Sequence, residues 1–246
     1  MPGYDFHSPR LFMTAPLETA TTVTLDRSQA HYLTHVLRLK AGDRVLVFNG
    51  HDGEWSSTIE GGKRAVTLRV GARTRPQTAA ADLHYLFVPL KSARLDYMVQ
   101  KAVELGVSRL QPVLTRHGQV TRVNLERMRN NAVEAAEQCG ILSLPDIGAP
   151  AALPRLLAER DPARWLVFCD EAAEVENPAA ALGAVAPRSP LAVLVGPEGG
   201  FADDERALLL GLPNVVRIAL GPRILRADTA AVAALALVQT MLGDWR

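Results

Sequence analysis

The spacing of apolar residues changes character near residue 75. Before that point, short β-rich runs occur at Thr22–Leu25, Arg44–Phe48, Trp55–Ile59 and Ala65–Val70. Gly42-Asp43, the segment Asn49–Gly53 and Gly61-Gly62 separate them, and clusters of Gly, Asn and Asp mark turns. Between the first two runs, Ser28–Leu39 carries Tyr32, Leu33, Val36, Leu37 and Leu39 at helical spacing, on one broad apolar face. The pattern predicts a small β-barrel with one helix over residues 1–75, followed by a polar, Ala-rich linker at Thr74–Ala81.

Residues 76–246 alternate instead between apolar runs and amphipathic stretches. Strands are predicted at Leu83–Pro89, Leu110–Leu114, Trp165–Cys169, Leu191–Val195 and Val215–Leu220. Helices are predicted at Ser92–Leu105, Asn124–Cys139, Pro178–Val185, Asp203–Leu210 and from Asp228 to Leu242. Gly106 and Gly140 close the first two, and Asn124 is a suitable N-cap for the second. Strand–helix alternation with unbroken apolar strands implies an α/β domain whose mostly parallel sheet is covered on both faces.

Composition adds bounds. With 48% apolar and 22% charged residues the chain can bury a sizeable core as a soluble protein. Met1–Arg10 is polar and has no signal-peptide core, and Thr229–Leu242 is shorter than the roughly 20 residues a bilayer needs. The expectation is a cytoplasmic protein with no membrane partner. Cys139 and Cys169 form no CxxC pair, so neither a metal site nor a disulfide framework is expected. Aromatics are 5%, too sparse for a broad single-strand stacking platform. Charge is uneven: residues 1–130 hold 18 Lys/Arg against 11 Asp/Glu, and residues 131–246 hold 9 against 15. A basic first half suits a polyanion, and it also fits an uneven scatter of solvated charges.

Two stretches carry candidate chemistry. Leu194–Phe201 (LVGPEGGF) runs from a buried strand through a Gly-rich turn toward a helix, where α/β sheets bind ligands. It is neither GxGxxG nor a phosphate loop, which disfavours a dinucleotide-dependent oxidoreductase. Glu198 in the turn and Asp203, Asp204 and Glu205 in the next helical turn would repel a pyrophosphate. A neutral or cationic ligand read by backbone amides fits better, and S-adenosylmethionine is one. A structural turn with a good helix cap is the other reading. Leu220–Ala231 (LGPRILRADTAA) follows a strand with a Gly-Pro turn and two arginines, and Asp228 or Thr229 can cap the last helix.

Together these stretches strongly resemble the signatures of the RsmE family, the 16S ribosomal RNA uracil-N3 methyltransferases of the SPOUT class. His31–Arg38 (HYLTHVLR), Lys91–Gly106 and Glu134–Cys139 also match, in order, over essentially the whole chain. The resemblance implies a PUA-like RNA-binding barrel at residues 1–75. It further implies a SPOUT methyltransferase domain at 76–246, with a parallel sheet and a C-terminal deep trefoil knot. Where many members have Thr/Ser-Glu-Arg-Ser, this chain has Thr115-Arg116-His117-Gly118, so the family's arginine transfers only loosely, to Arg116. Asp228 stands where many members have glutamate.

Residue by residue, the resemblance implies S-adenosyl-L-methionine held by Cys169, Asp170, Glu171, Gly196, Pro197, Gly199, Gly200, Leu220, Ile224 and Leu225. Arg226 would face the uridine and favour its anion, with Glu198 or Asp228 as alternative proton acceptors. Lys91, Arg94 and Lys101 lie within about 80° on one helical face, and with Arg10, His31, Arg38, Arg116 and Arg122 would contact RNA. The implied partners are 16S rRNA, within the small ribosomal subunit, and a second copy of the chain. Two rivals remain: a SPOUT ribose 2′-O-methyltransferase acting on rRNA or tRNA, disfavoured because no Asn-Val-Ser precedes the final helix, and a non-catalytic RNA-binding protein.

Overall fold

A computed structural model describes residues 5, 7–62, 65–174 and 177–245. Of the polar N-terminal segment, residues 1–4 and 6 lie outside it. The chain divides into two compact units, Met1–Ala79 with Ala136–Leu144, and Ala80–Ala135 with Pro145–Arg246.

The first unit holds β1 (Arg10–Phe12), β2 (Thr22–Thr24), α1 (Arg27–His31), β3 (Arg44–Phe48), β4 (Glu54–Gly62) and β5 (Ala65–Arg75). Its sheet runs β1-β3-β4-β5-β2, antiparallel except for the β1/β3 pair. Leu33, Val45, Val47, Ile59, Leu68 and Val70 form its core. The strand β1 falls in a segment whose sequence reads simply as polar, because three residues are too few to show a period. Asp26 starts α1 with a reciprocal capping box to Gln29. The expected helix to Leu39 is cut short: Tyr32–Val36 widens into a π-helical turn, and Arg38 ends it with a left-handed φ of 57°. Arg75 runs past the expected start of the linker as the end of β5, bonded to Glu54 and to the Gly140 carbonyl.

The second unit contains β6 (Leu83–Phe87), α2 (Ser92–Glu104), β7 (Arg109–Leu114), β8 (Asp146–Ile147), β9 (Ala151–Ala152), α4 (Leu153–Ala158) and β10 (Trp165–Cys169). It continues with α5 (Pro178–Leu182), β11 (Leu191–Val195), α6 (Asp203–Leu210), β12 (Val215–Ile218) and α7 (Ala227–Met241). Helix α3 (Leu125–Cys139) begins in this unit, with Asn124 accepting from the Arg127 N–H as expected of an N-cap, and its last turn groups with the first unit. The sheet is parallel throughout, in the order β12-β10-β11-β6-β7-β8, with β9 beside β7. Every residue of β11 is buried, which explains its unbroken apolar run. The short elements between β8 and α4 were not legible, since none is long enough to carry a periodic signal.

Helix α7 packs on α2, and the polar break that Gln239 makes in its apolar run has a structural use. Fully buried, Gln239 donates to the Leu105 carbonyl and accepts from the Asp244 N–H, closing the end of α2. Among the described residues, no helix is long and apolar enough to cross a membrane.

Candidate functional site: the carboxyl edge of the parallel sheet

The register places the last residues of four strands in one row, with Pro112 of β7 beside them. Cys169 pairs with both Val195 and Ile218, Val195 with Phe87, and Phe87 with Pro112. The segments that leave β6, β7, β10, β11 and β12 therefore emerge along the same edge, the place where open α/β sheets bind ligands.

The loops after β10, β11 and β12 enclose a cavity of about 440 Å³, within the range of small-molecule sites. Of the ten residues expected to hold a methyl donor, Cys169, Asp170, Glu171, Gly196, Pro197, Gly199, Leu220, Ile224 and Leu225 line it. Gly200 does not. It takes a left-handed φ of 67°, and a Cβ there would stand 2.7 Å from the Glu171 carboxylate. Gly196 serves packing, since a Cβ would come within 2.6 Å of the Phe201 ring, itself edge-on to Phe168. Sequence reasoning missed Val195, Ile218, Ala227 and Ala230 as lining residues. Ala227 and Ala230 were hidden because they read as ordinary helix formers.

The wall is apolar on the β12–α7 side and charged on the other. Ile224 is 96% exposed, a large apolar side chain offered to the cavity rather than packed away. Buried Asp170 accepts from Arg206 and Arg217 at 2.9 Å each. Burial opposes its ionisation, but the hydrogen bonds from Arg206 and then Arg217 outweigh it and hold its carboxyl below the ordinary value. Burial pushes the Cys169 thiol up to about 12, so it is a protonated, weakly polar wall at neutral pH.

A second cavity, of about 350 Å³, shares Pro197, Glu198 and Gly199 with the first. Pro89, Leu90, Lys91, Arg94, His117, Gln119 and Val120 complete its walls. Glu198 is paired with Arg94 at 3.0 Å, so an expected proton acceptor and an expected RNA contact hold each other. At the α6 N-terminus buried Glu205 accepts from the Ala202 and Arg116 N–H groups, and its charge, with those of Asp203 and Asp204 in the same turn, disfavours a phosphate there.

The remaining expected residues scatter more widely. Arg226 is the N-cap position of α7, exposed, between lining residues Leu225 and Ala227, and lines neither cavity itself. Asp228 was expected as a possible cap, but the helix starts one residue earlier and its carboxylate accepts from the Thr229 N–H within the first turn. Arg116 turns to Asp204, away from the cavity that His117 lines. Lys91 and Arg122 share a neighbouring cleft with Arg127. Lys101 is held by Glu104 at 2.7 Å and lies over the Tyr97 ring. In the first unit, His31 and Arg38 are exposed, and His31 stacks on His35. Arg10 corrects the expectation: its side chain is buried against Glu54 at 2.9 Å and is unavailable to a phosphate.

Residues 77–239 match the model of the RNA methyltransferase domain family, and residues 25–71 that of the RNA methyltransferase PUA domain. The chain is 32% identical to the ribosomal RNA small subunit methyltransferase E of Rickettsia conorii, covering 86% of each chain. It is 26% identical to that of Buchnera aphidicola subsp. Acyrthosiphon pisum, over 97% of this chain and 95% of the other. The crystal structure of the Neisseria gonorrhoeae ribosomal RNA small subunit methyltransferase E, bound to S-adenosyl methionine, superposes with a TM-score of 0.83. It is 25% identical and covers 98% of this chain and 100% of that one. With matching domains in the same order along nearly its whole length, the chain belongs to the ribosomal RNA small subunit methyltransferase E family.

Proposed function

We propose that the chain transfers a methyl group from S-adenosyl-L-methionine to N3 of a uridine in 16S ribosomal RNA. The observation that carries this reading is the convergence of the β10, β11 and β12 loops on one cavity, lined by nine of the ten residues expected to hold the donor. The wall suits that donor chemically. Leu220, Ile224 and Leu225 offer apolar faces to an adenine. Glu171 and Arg223 supply opposite charges for the ammonium and carboxylate of its amino-acid end. The donor brings an electrophilic methyl on a sulfonium centre.

The protein's own part is to bind, orient and move a proton. The adjoining cavity, with Lys91 and Arg94 in its walls, is the proposed seat of the uracil ring. Arg226, beside the donor loop, would face the base's carbonyl oxygens and favour the uridinate. Lys91, Arg94 and Arg122 would hold flanking phosphates, and His31 and Arg38 those on the barrel. The same reading has the β10–β12 loops forming a trefoil knot, the barrel of residues 1–75 docking rRNA, and a homodimer as the working unit in the cytoplasm.

Small ribosomal subunits from a strain lacking its own enzyme, incubated with this protein and labelled donor, test the proposal. Nucleoside mass mapping should find N3-methyluridine. A 2′-O-methylated nucleoside would establish the ribose chemistry instead, and absence of both transfer and donor binding would leave an RNA-binding protein.

A further inference from the structure

The carboxylates near the site leave the uridine proton without a plain destination. In this structure Glu198 pairs with Arg94 at 3.0 Å, and Asp228 lines neither cavity. His117 does line the second cavity. Two contacts place it. Its Nδ1 lies 3.1 Å from the Gly199 carbonyl oxygen and 3.3 Å from that of Gly200. Behind it, the Arg116 N–H donates to Glu205 at 3.0 Å and ties the segment to the first turn of α6.

Carbonyl oxygens only accept, so the ring nitrogen facing them must donate. That fixes the neutral imidazole as the Nδ1–H tautomer, and Nε2 keeps its lone pair. A histidine oriented by a carbonyl on one nitrogen and free on the other is the arrangement a general base requires. The carbonyls doing the orienting belong to the same loop that walls the donor cavity, so base and donor are held by one piece of backbone.

We infer that His117 is the general base of the methyl transfer, its Nε2 taking the N3 proton of a uridine seated in the second cavity. This rests on the donor and acceptor proposed above. The N3–H bond breaks as its proton passes to Nε2, giving an imidazolium. The nitrogen pair forms the N–CH3 bond, and the carbon–sulfur bond breaks with its electrons remaining on sulfur. The thioether product is neutral at sulfur, and the imidazolium returns its proton to solvent.

His117→Asn separates this role from mere loop support, because the asparagine amide can still donate to the Gly199 carbonyl but has nothing at the Nε2 position. The expected result with small subunits is a single-turnover rate constant lower by about 100-fold or more. The dissociation constant for S-adenosylmethionine, measured by calorimetry, should stay within about threefold of the parent's, a margin of less than 1 kcal/mol. A second readout needs no turnover: ¹⁵N-edited spectra of the free protein should show His117 protonated at Nδ1 only. A rate within threefold of the parent's would overturn the assignment. So would a fall in donor affinity large enough to account for the loss, or an Nε2–H tautomer. If the unsubstituted protein itself forms no N3-methyluridine, the underlying reading fails, and this inference with it.

Discussion

A buried guanidinium is tolerable only where its charge is answered, and at Arg10 the answer is Glu54, itself 2% exposed and also bonded to Arg75 and Thr74. Burial opposes ionisation of Glu54, and the bonds from Arg75, Thr74 and Arg10 more than offset it. Removing Arg10 takes one charged hydrogen bond from Glu54, which Arg75 and Thr74 still hold. Arg10→Ala should therefore cost about 2 kcal/mol of unfolding free energy in urea, the usual scale for a hydrogen bond to a charged group. Its effect on the RNA affinity of the folded protein should be under twofold. The opposite outcome, intact stability with weakened RNA binding, would return Arg10 to the surface. A charged residue type and a position near the N-terminus could not reveal this, because the partner lies 44 residues away.

Elements matter here mainly as holders of loops. Parallel β6, β10, β11 and β12 bring their carboxyl ends into register, and α6 anchors the β7 segment through Glu205. The sheet's other margin carries a pH sensitivity of its own. His84 on β6 is pushed down to about 4, chiefly by burial and then by the charges of Arg164 and Arg109, partly offset by Asp82 and Asp146. Its unfolded value is near 6.5, so between pH 6.5 and about 4 the unfolded chain binds the extra proton. Stability should be complete above pH 6.5 and fall as the pH drops through that window. Urea midpoints at pH 7 and pH 5 would measure it. His84→Gln should flatten the difference, and an unchanged difference would assign the sensitivity elsewhere.

At the scale of the molecule, two units share one chain. The cavity proposed for the donor is built wholly from residues 169–230, within the second unit. A ligand that binds only the folded form stabilises what it touches, by about 2.7 kcal/mol at a hundredfold excess over its dissociation constant. S-adenosylmethionine should therefore slow hydrogen exchange in β10, β11, β12 and α7 while leaving β3–β5 unchanged. Equal protection of the barrel, or none anywhere, would contradict the placement of the donor. The unit boundaries are also less linear than a cut at residue 75 suggests. Ala136–Leu144 groups with the first unit, where Glu137 accepts from the Phe12 N–H and the Gly140 carbonyl from Arg75.

Much of this was legible before any coordinates. β-rich runs and turn residues specified four of the five strands of the first unit, and unbroken apolar runs specified buried parallel strands, because both faces of such a strand meet the core. The Gly-rich and Gly-Pro turns could be placed at strand ends, and their match to a family's motifs named nine lining residues of the cavity. What local pattern could not hold is partnership across long separations. That Glu198 belongs to Arg94, that Arg10 is buried, and that His117 rather than Arg116 turns to the cavity depend on pairs 104, 44 and 82 residues apart. Such pairings arise from strand order and register, and charge type alone does not encode which opposite charge a side chain will meet. Tertiary structure therefore decided the chemistry of individual side chains, while sequence had already determined which loops would hold them.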